Sequence, residues 1–547
     1  MSTKKSGFGC ISIVGVAIAL SLGGRYLSRQ VIGKELTPID AAQVIPESAL
    51  FATFVETDSQ KWSQIKALGN DKSQKLLAAQ IKELQTELST ESVNFDYQQD
   101  IQPWLDGAMF AVISEDLAES DSDMLVVLGV KNKFKANSFV KKLQETTQAK
   151  LEEDKYKGVK ITTSTTKDND VTISALLGNR LLLAQERAVI KRAIDAYKDN
   201  SSLASDPQTK KVFEQKLDVG TTLAQVYFPN YGELIEEAFA IDADVPNLYS
   251  DLLSMYTSVD SSAIALGVEK QGLRVQSVTK FNSDEFSQYL TSNKSKLLKR
   301  FPDRTVALVN GHGIGQFWEQ LLIHLKQNRD TSRYLNLANL AVRQNTNLNL
   351  ESDIFNWMDG EFAFGIVNTP KSLHPQLNVG MSAGLILETS QPEKAKQTLA
   401  KLENSVQRHL EIAPIQNKIN HKTVTQWRAP EVEGALNYGW LDKNNLLLTW
   451  DDFTYESISD SQKKSIAKSK NFKAVTKKIP NRNLGYFYID VTQVMNTINQ
   501  LPIPQSNQKA DEAAMAILNS VESIGSSATM SDKRTVRQDI FVMFKDN

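Results

Sequence analysis

The stretch DIQPWLDGAMFAVI, Asp100 to Ile113, returns 253 positions later as DIFNWMDGEFAFGI, Asp353 to Ile366. A chance match would leave the flanks unrelated, and the flanks agree. Upstream, Ile45-Pro46-Glu47-Ser48-Ala49-Leu50 leads into FATFVE, while Phe301-Pro302-Asp303-Arg304-Thr305-Val306 leads into ALVNG. Downstream, LVVLGV from Leu125 corresponds to GLILE from Gly384, YKGVKITT to NKINHKTVTQW, and GNRLLLAQ to KNNLLLTW. Leu223 to Tyr227 (LAQVY) likewise corresponds to Leu484 to Tyr488 (LGYFY). Ser258-Val259-Asp260 and Ser520-Val521-Glu522 each precede a hairpin pattern, closing at Phe281 and Phe544. At 547 residues the chain is too long for one hydrophobic core. The echo therefore sets its architecture as a tandem duplication, copy one at 43–290 and copy two at 296–547.

Within a copy the elements read strand, long helix, two strands, helix, several strands, one or two helices, strand, helix and a final hairpin. The long helix shows as an apolar line at Leu77, Ile81, Leu84 and Leu88. A later helix in each copy places apolar residues at i, i+3, i+4 and i+7. They are Ala136, Phe139, Val140 and Leu143 in one, and Ala395, Thr398, Leu399 and Leu402 in the other. Ser390-Gln391-Pro392-Glu393 supplies the second of these with a capping Ser, an early Pro and a Glu three places on. Strand groups interleaved with a few helices predict an α+β class. The prediction is two tandem homologous domains, each a mainly antiparallel sheet with helices on one face, behind an N-terminal transmembrane helix.

The repeated residues Trp104, Asp106, Gly107 and Trp357, Asp359, Gly360 read as a structural motif. Asp-Gly supplies a turn, the glycine accepting positive φ, and the residues after it alternate into a strand. The tryptophans then plug the core beside that turn. Phe286 to Arg300, ending in KSKLLKR, reads as a basic helix joining the copies.

Lys4 and Lys5 precede a charge-free run, Phe8 to Gly24 (FGCISIVGVAIALSLGG). Positive charge before an apolar run predicts a single-pass anchor with a cytoplasmic N-terminus and the bulk of the chain outside the cytoplasm. A cleaved signal peptide is the alternative, with Ala19-Leu20-Ser21 as the small-x-small site. Residues 25–42 would tether copy one to the bilayer. Cys10 lies before the apolar residues rather than after them, which excludes a lipobox. It is also the only cysteine, so the rest of the chain offers no disulfide, thiol nucleophile or thiolate ligand. Lys plus Arg at 62 nearly balance Asp plus Glu at 64, so no global field draws the chain to nucleic acid.

Candidate chemistry is sparse. Asn310-Gly311-His312-Gly313-Ile314-Gly315 follows a strand and precedes a helix, where amides could cradle phosphate. The third glycine of a dinucleotide fingerprint would fall at Gln316, however, and copy one carries Glu56-Thr57-Asp58-Ser59 there, so the glycines read as a strand-to-helix turn. His312, His324, His374, His409 and His421 form no i, i+4 pair. His409 and Glu411, two apart on a helix, would point to different faces. The loop Glu115 to Asp123 offers oxygens for calcium without the glycine and closing Glu of an EF-hand, and copy two has NTPKSLHPQLN there. The stretch from Lys463 reads as a helix with Phe472, Val475 and Ile479 inward and a wet basic face, or one facing anionic headgroups. No GxSxG, Walker A or SxxK motif is present. No catalytic, cofactor or metal residue is assigned.

With Ile45-Pro46 and its following strand, and the acidic-Ile-x-x-Trp turn of Asp100 to Ile113, the chain resembles a largely cyanobacterial family of uncharacterised membrane-anchored proteins defined by a domain of unknown function. That resemblance implies exposure to the periplasm or thylakoid lumen, and it brings no catalytic residue. The functional expectation is a non-enzymatic binding or assembly protein with a protein partner at a membrane. A lipid or hydrophobic-ligand carrier is the alternative, and a hydrolase with an unrecognised site the third reading.

Overall fold

The computed structural model describes residues 35–546 except 77, 80–96, 114–123, 148, 167–168, 170, 233, 236–257, 285–286, 288–289, 328, 371–379, 429–434, 461–463 and 500–508. Among the described residues no helix is long and apolar enough to cross a membrane. The anchor at 8–24 and most of the helix expected from Leu77 to Leu88 lie outside them.

The chain divides into two compact units, one built mainly before residue 281 and one mainly from 281 onward. In the first, the strands are β1 (Phe51–Val55), β2 (Leu105–Val112), β3 (Met124–Val130), β4 (Lys150–Tyr156), β5 (Val159–Thr165), β6 (Val171–Leu177), β7 (Arg180–Ala184), β8 (Thr221–Phe228), β9 (Val259–Glu269) and β10 (Gly272–Phe281). Pairing, antiparallel from β4 to β9, sets the order β4-β5-β6-β7-β3-β2-β1-β8-β9-β10.

The second unit carries β11 (Thr305–His312), β12 (Glu361–Asn368), β13 (Met381–Glu388), β14 (Ile415–Ile419), β15 (Lys422–Trp427), β16 (Leu436–Trp440), β17 (Asn445–Thr449), β18 (Tyr486–Asp490), β19 (Val521–Asp532) and β20 (Thr535–Phe544). Its antiparallel order is β14-β15-β16-β17-β13-β12-β11-β18-β19-β20. Neighbour for neighbour, this is the order of the first unit. Even the turns agree. Lys157 and Gly158 (φ 45° and 78°) close β4 onto β5, and Asn420 and His421 (φ 47° and 63°) close β14 onto β15. Two consecutive left-handed residues make the turn that matches strand twist.

The principal helices are α1 (Lys133–Thr147) and α2 (Arg187–Lys198) in the first unit. In the second they are α3 (Ile314–Gln327), α4 (Arg329–Thr346), α5 (Pro392–Leu410), α6 (Asp452–Ser459), α7 (Lys470–Val475), α8 (Val491–Ile498) and α9 (Lys509–Ser520). Helices pack on both faces of each sheet, not on one as the sequence suggested. In the first unit Met109, Ala111, Val127 and Leu182 meet Val189, Ile190 and Ile194 of α2. Their alternates Ala108, Val126, Leu128 and Leu181 meet Trp104 and, from α1, Ala136 and Phe139. The second unit repeats this, with Ile386 and Leu447 against Tyr455 and Ile458 of α6, and Leu387 and Leu446 against Ala395 and Leu399 of α5. The physical cause is the unbroken apolar run: in LVVLGV and LLLA both parities are hydrophobic, so both sides must be covered.

Three local expectations change. The described part of Phe286 to Arg300 is 3-10 at Ser287 and at Leu297–Lys299, whose Leu297 and Leu298 are buried in the core, and Leu290 to Lys296 is not helical, so it is no continuous basic helix. From Lys464 the chain makes a 3-10 turn, Ile466–Lys468, and the short α7. Phe472 and Val475 are buried on α7, and buried Ile479 lies beyond its end. Ser390 does not cap α5. Gln391 holds the cap position without a side-chain bond to the helix amides, and Asp359 has taken the Ser390 hydroxyl.

Candidate functional site

The repeated motif forms the same bond twice. A π-helical turn, Tyr97–Ile101 or Leu350–Phe355, delivers the chain to each tryptophan. Trp104 Nε1 donates to the Asp100 carbonyl at 2.8 Å, and Trp357 Nε1 donates to the Asp353 carbonyl at 3.0 Å. Both indoles are buried. The carboxylate of each of these aspartates reaches a lysine on the covering helix, Asp100 to Lys142 of α1 at 2.7 Å and Asp353 to Lys401 of α5 at 3.3 Å.

The Asp-Gly pairs then diverge. Asp106 Oδ2 accepts the Leu36 amide at 2.7 Å, binding the segment that leads into the first unit. Asp359 instead accepts the Ser390 amide at 2.8 Å, the Ser390 hydroxyl, and the Gln391 side-chain amide at 3.1 Å. Partial burial would raise the Asp359 pKa, but the Ser390 and Gln391 bonds outweigh it and hold the carboxyl below its usual range. Gly107 has φ +74° within β2, beside a bulge between Leu105 and Ala108. Gly360 does not have positive φ. It is needed because an added Cβ would lie 2.5 Å from the Glu388 carbonyl oxygen.

The glycine-rich segment is spent internally. β11 runs through Gly311 and His312, and Gly313 at φ +72° turns the chain into α3. The Gly313 amide bonds the Gly360 carbonyl at 2.9 Å and the Gly315 amide the Met358 carbonyl at 3.0 Å, so neither is free for phosphate. His409 is in the last turn of α5, whereas Glu411 follows the helix in left-handed conformation, so the two do not share a helix as assumed. His324 falls on α3 and His421 in the β14–β15 turn. His374, the loop Glu115 to Asp123 and most of NTPKSLHPQLN lie outside the described residues. Among those described, no group of three His, Cys, Asp or Glu residues could hold a metal ion.

Two features escaped the sequence reading. Buried Glu361 accepts from the Lys296 amide at 2.9 Å, the Leu297 amide at 3.3 Å, Asn310 Nδ2 at 3.3 Å and the Ser295 hydroxyl. It clamps the segment before β11 onto β12. The signal was an acid at the inward parity of EFAFGIVN, whose Ala363 and Val367 are core residues. The second feature is a row on the opposite face: Val309 of β11 pairs with Phe364 of β12 on one side and Phe487 of β18 on the other. These are 38%, 40% and 44% exposed, respectively. Large apolar side chains in register and open to water mark a surface prepared for contact. A hollow of about 740 Å³ is lined by Ser283, Asp284, Ser287, Leu290, Met530, Asp532 and Lys533, a mixture of apolar, hydroxyl and charged groups.

Together these features define an α+β protein with a repeated structural turn and an open apolar row. The chain belongs to the family described as "Protein of unknown function (DUF3352)", whose model matches residues 8–544. No curated protein matches it. Among solved structures, crystal form III of TP0453 is similar at 11% identity, covering 45% of this chain and 81% of that one with a TM-score of 0.25. Crystal form I of TP0453 gives 12% identity, 47% and 81% coverage, and a TM-score of 0.24. Scores this low support no statement of shared fold or role.

Proposed function

We propose that the chain is a membrane-anchored, extracytoplasmic protein made of two copies of one α+β domain, acting by binding a protein partner of a membrane complex rather than by catalysis. The single observation that carries the binding role is the exposed row Phe364, Val309 and Phe487, aligned across adjacent strands. Burying such a row under a partner removes contiguous apolar surface from water, the dominant favourable term in association. The matching strand orders and the twice-made tryptophan bond support the duplication. Lys4, Lys5 and the run to Gly24 support an anchor with the N-terminus in the cytoplasm and the bulk in the periplasm, or in the thylakoid lumen of a cyanobacterium. The lipid-carrier alternative calls for an apolar cavity, and the hollow beside Asp284 and Asp532 sets Leu290 and Met530 among three charged side chains.

Photocrosslinking tests the role. A benzoylphenylalanine placed at Phe364 in the full chain, irradiated in its native membrane, should give a discrete protein adduct that the same probe at exposed Lys418 does not. Adducts at both positions, or at neither, would overturn the assignment.

A further inference from the structure

Helix α4 carries apolar residues on two sides. Leu335 and Val342 are half-buried on the side that packs against the unit. Tyr334, Leu337 and Leu340, at i, i+3 and i+6, stand 66%, 52% and 50% exposed. A helix that only needed to solubilise a surface would place polar residues there. Over its whole length, RDTSRYLNLANLAVRQNT, α4 carries three arginines and one acid, Asp330. Arg333, Leu337, Leu340 and Gln344 follow one another at i, i+4, i+7 and i+11, so a guanidinium borders the apolar strip.

We propose that α4 lies on an anionic phospholipid bilayer, with Tyr334, Leu337 and Leu340 in the headgroup boundary and Arg333 and Arg343 toward lipid phosphates. Several features favour lipid over a second copy of the chain. A two-fold pairing of α4 would bring the arginines of two molecules together with only Asp330 of each helix to offset three of them. A bilayer supplies both things the face lacks, an apolar layer and a sheet of negative charge. Tyrosine and arginine also suit such a boundary, each pairing an apolar body with a polar end. The inference rests on the proposed anchor for proximity to the bilayer, but the contact itself is a property of α4.

Cys10 is the only cysteine, so a Cys10→Ser chain accepts single-site labels cleanly. The full-length chain carrying Leu337→Cys with an environment-sensitive NBD label would be reconstituted into phosphatidylcholine vesicles with and without phosphatidylglycerol. Lys418→Cys, exposed on β14 of the same unit, serves as comparison. The expected result is a blue-shifted label at 337, quenched severalfold more than at 418 by lipids bearing a shallow doxyl group, and weaker quenching without phosphatidylglycerol. Adding Arg333→Gln and Arg343→Gln should remove the dependence on the anionic lipid. Vesicle flotation scores the anchor separately. A chain that floats with its 337 label no more quenched than at 418 overturns the α4 contact and leaves the anchor standing. A label that is blue-shifted yet unquenched means that protein covers the face, and also overturns it. A chain that does not float contradicts the anchor, and with 337 unquenched it overturns the contact as well.

Discussion

Trp104 donates its indole N–H to the carbonyl of Asp100, four residues earlier, at 2.8 Å, and so closes the π-helical turn on itself. The Trp357 bond to Asp353 does the same in the second unit. An amide carbonyl in a wide turn lacks its regular helical partner, and the buried indole supplies one. The Asp353 carbonyl also accepts the Thr398 hydroxyl at 2.6 Å. Replacing Trp104 with Phe should keep most of the packing and lose the bond, costing ~1 kcal/mol, and the same change at Trp357 should cost less because the Thr398 bond remains. Replacement of either with Ala should cost about 3–5 kcal/mol. Urea unfolding checks both, and a Trp357→Phe loss as large as that of Trp104→Phe would mean that the Thr398 bond does not compensate.

Gly107→Ala and Gly360→Ala should both destabilise, for different reasons. An alanine at 107 faces φ +74° and the Phe54 ring, 2.7 Å from its Cβ, whereas one at 360 meets the Glu388 carbonyl at 2.5 Å. The left-handed term alone is about 1–2 kcal/mol. Measured in double variants, Phe54→Leu should recover part of the loss at 107 and none of the loss at 360, because a side chain can be trimmed and a backbone carbonyl cannot.

Glu361→Gln should cost about 1.5–3 kcal/mol, the scale of hydrogen bonds to a charged group. The glutamine amide would turn a donor toward Lys296, Leu297, Asn310 or Ser295, all of which donate to Glu361 in the native structure. Thermal unfolding should show the loss, and amide exchange at Leu297 should speed up. An unchanged melting temperature would mean that the clamp contributes nothing net.

Stability at acid pH should depend on Asp359. Its carboxyl is held below its ordinary pKa, with desolvation opposing the shift and the Ser390 and Gln391 bonds winning. The folded state therefore binds that proton less readily than the unfolded state. Its contribution is present above about pH 4, the unfolded range, and is lost as pH falls through the folded value. Asp359→Asn should flatten this part of the acid limb in denaturant titrations, while Asp359 in the native chain keeps it.

The alkaline limb should be steeper. Burial, with the Asp58 charge added, raises Tyr97 from its ordinary value of 10.0 to about 12. Burial raises Tyr455 to about 12 and pushes Tyr227 and Tyr488 up as well. A raised folded value means the stabilisation is complete below about pH 10 and is lost as pH rises from there toward about pH 12. Tyr97→Phe also gives up its bond to the Thr57 carbonyl. It should lower stability at neutral pH and reduce the alkaline slope, read from melting temperatures across pH.

Local signals made the repeat legible. Tryptophan, Asp-Gly and a following strand sit within one stretch, and their bonds reach four residues back. The two-sided burial was also present in LVVLGV and LLLA, as runs without a polar parity. The partners of the two aspartates were not, because Asp106 finds Leu36 70 residues away and Asp359 finds Ser390 31 away. Leu297 and Leu298 looked like part of a basic helix for the same reason: a carboxylate more than sixty residues on, Glu361, fixes the chain there. The open row was visible as apolar residues at both parities of FAFGIV. That it stays uncovered depends on which helices reach that face, which no spacing encodes.

Native mass spectrometry of the full-length chain, gently extracted from its own membrane through a C-terminal tag, tests the binding role most directly when wild type and a Phe364→Lys, Phe487→Lys variant are compared. The prediction is a reproducible protein companion on the wild type that is absent from the variant, with the melting temperature of the chain unchanged. A wild type that carries no companion, or a variant that keeps it, would contradict the assignment of that face as the docking surface.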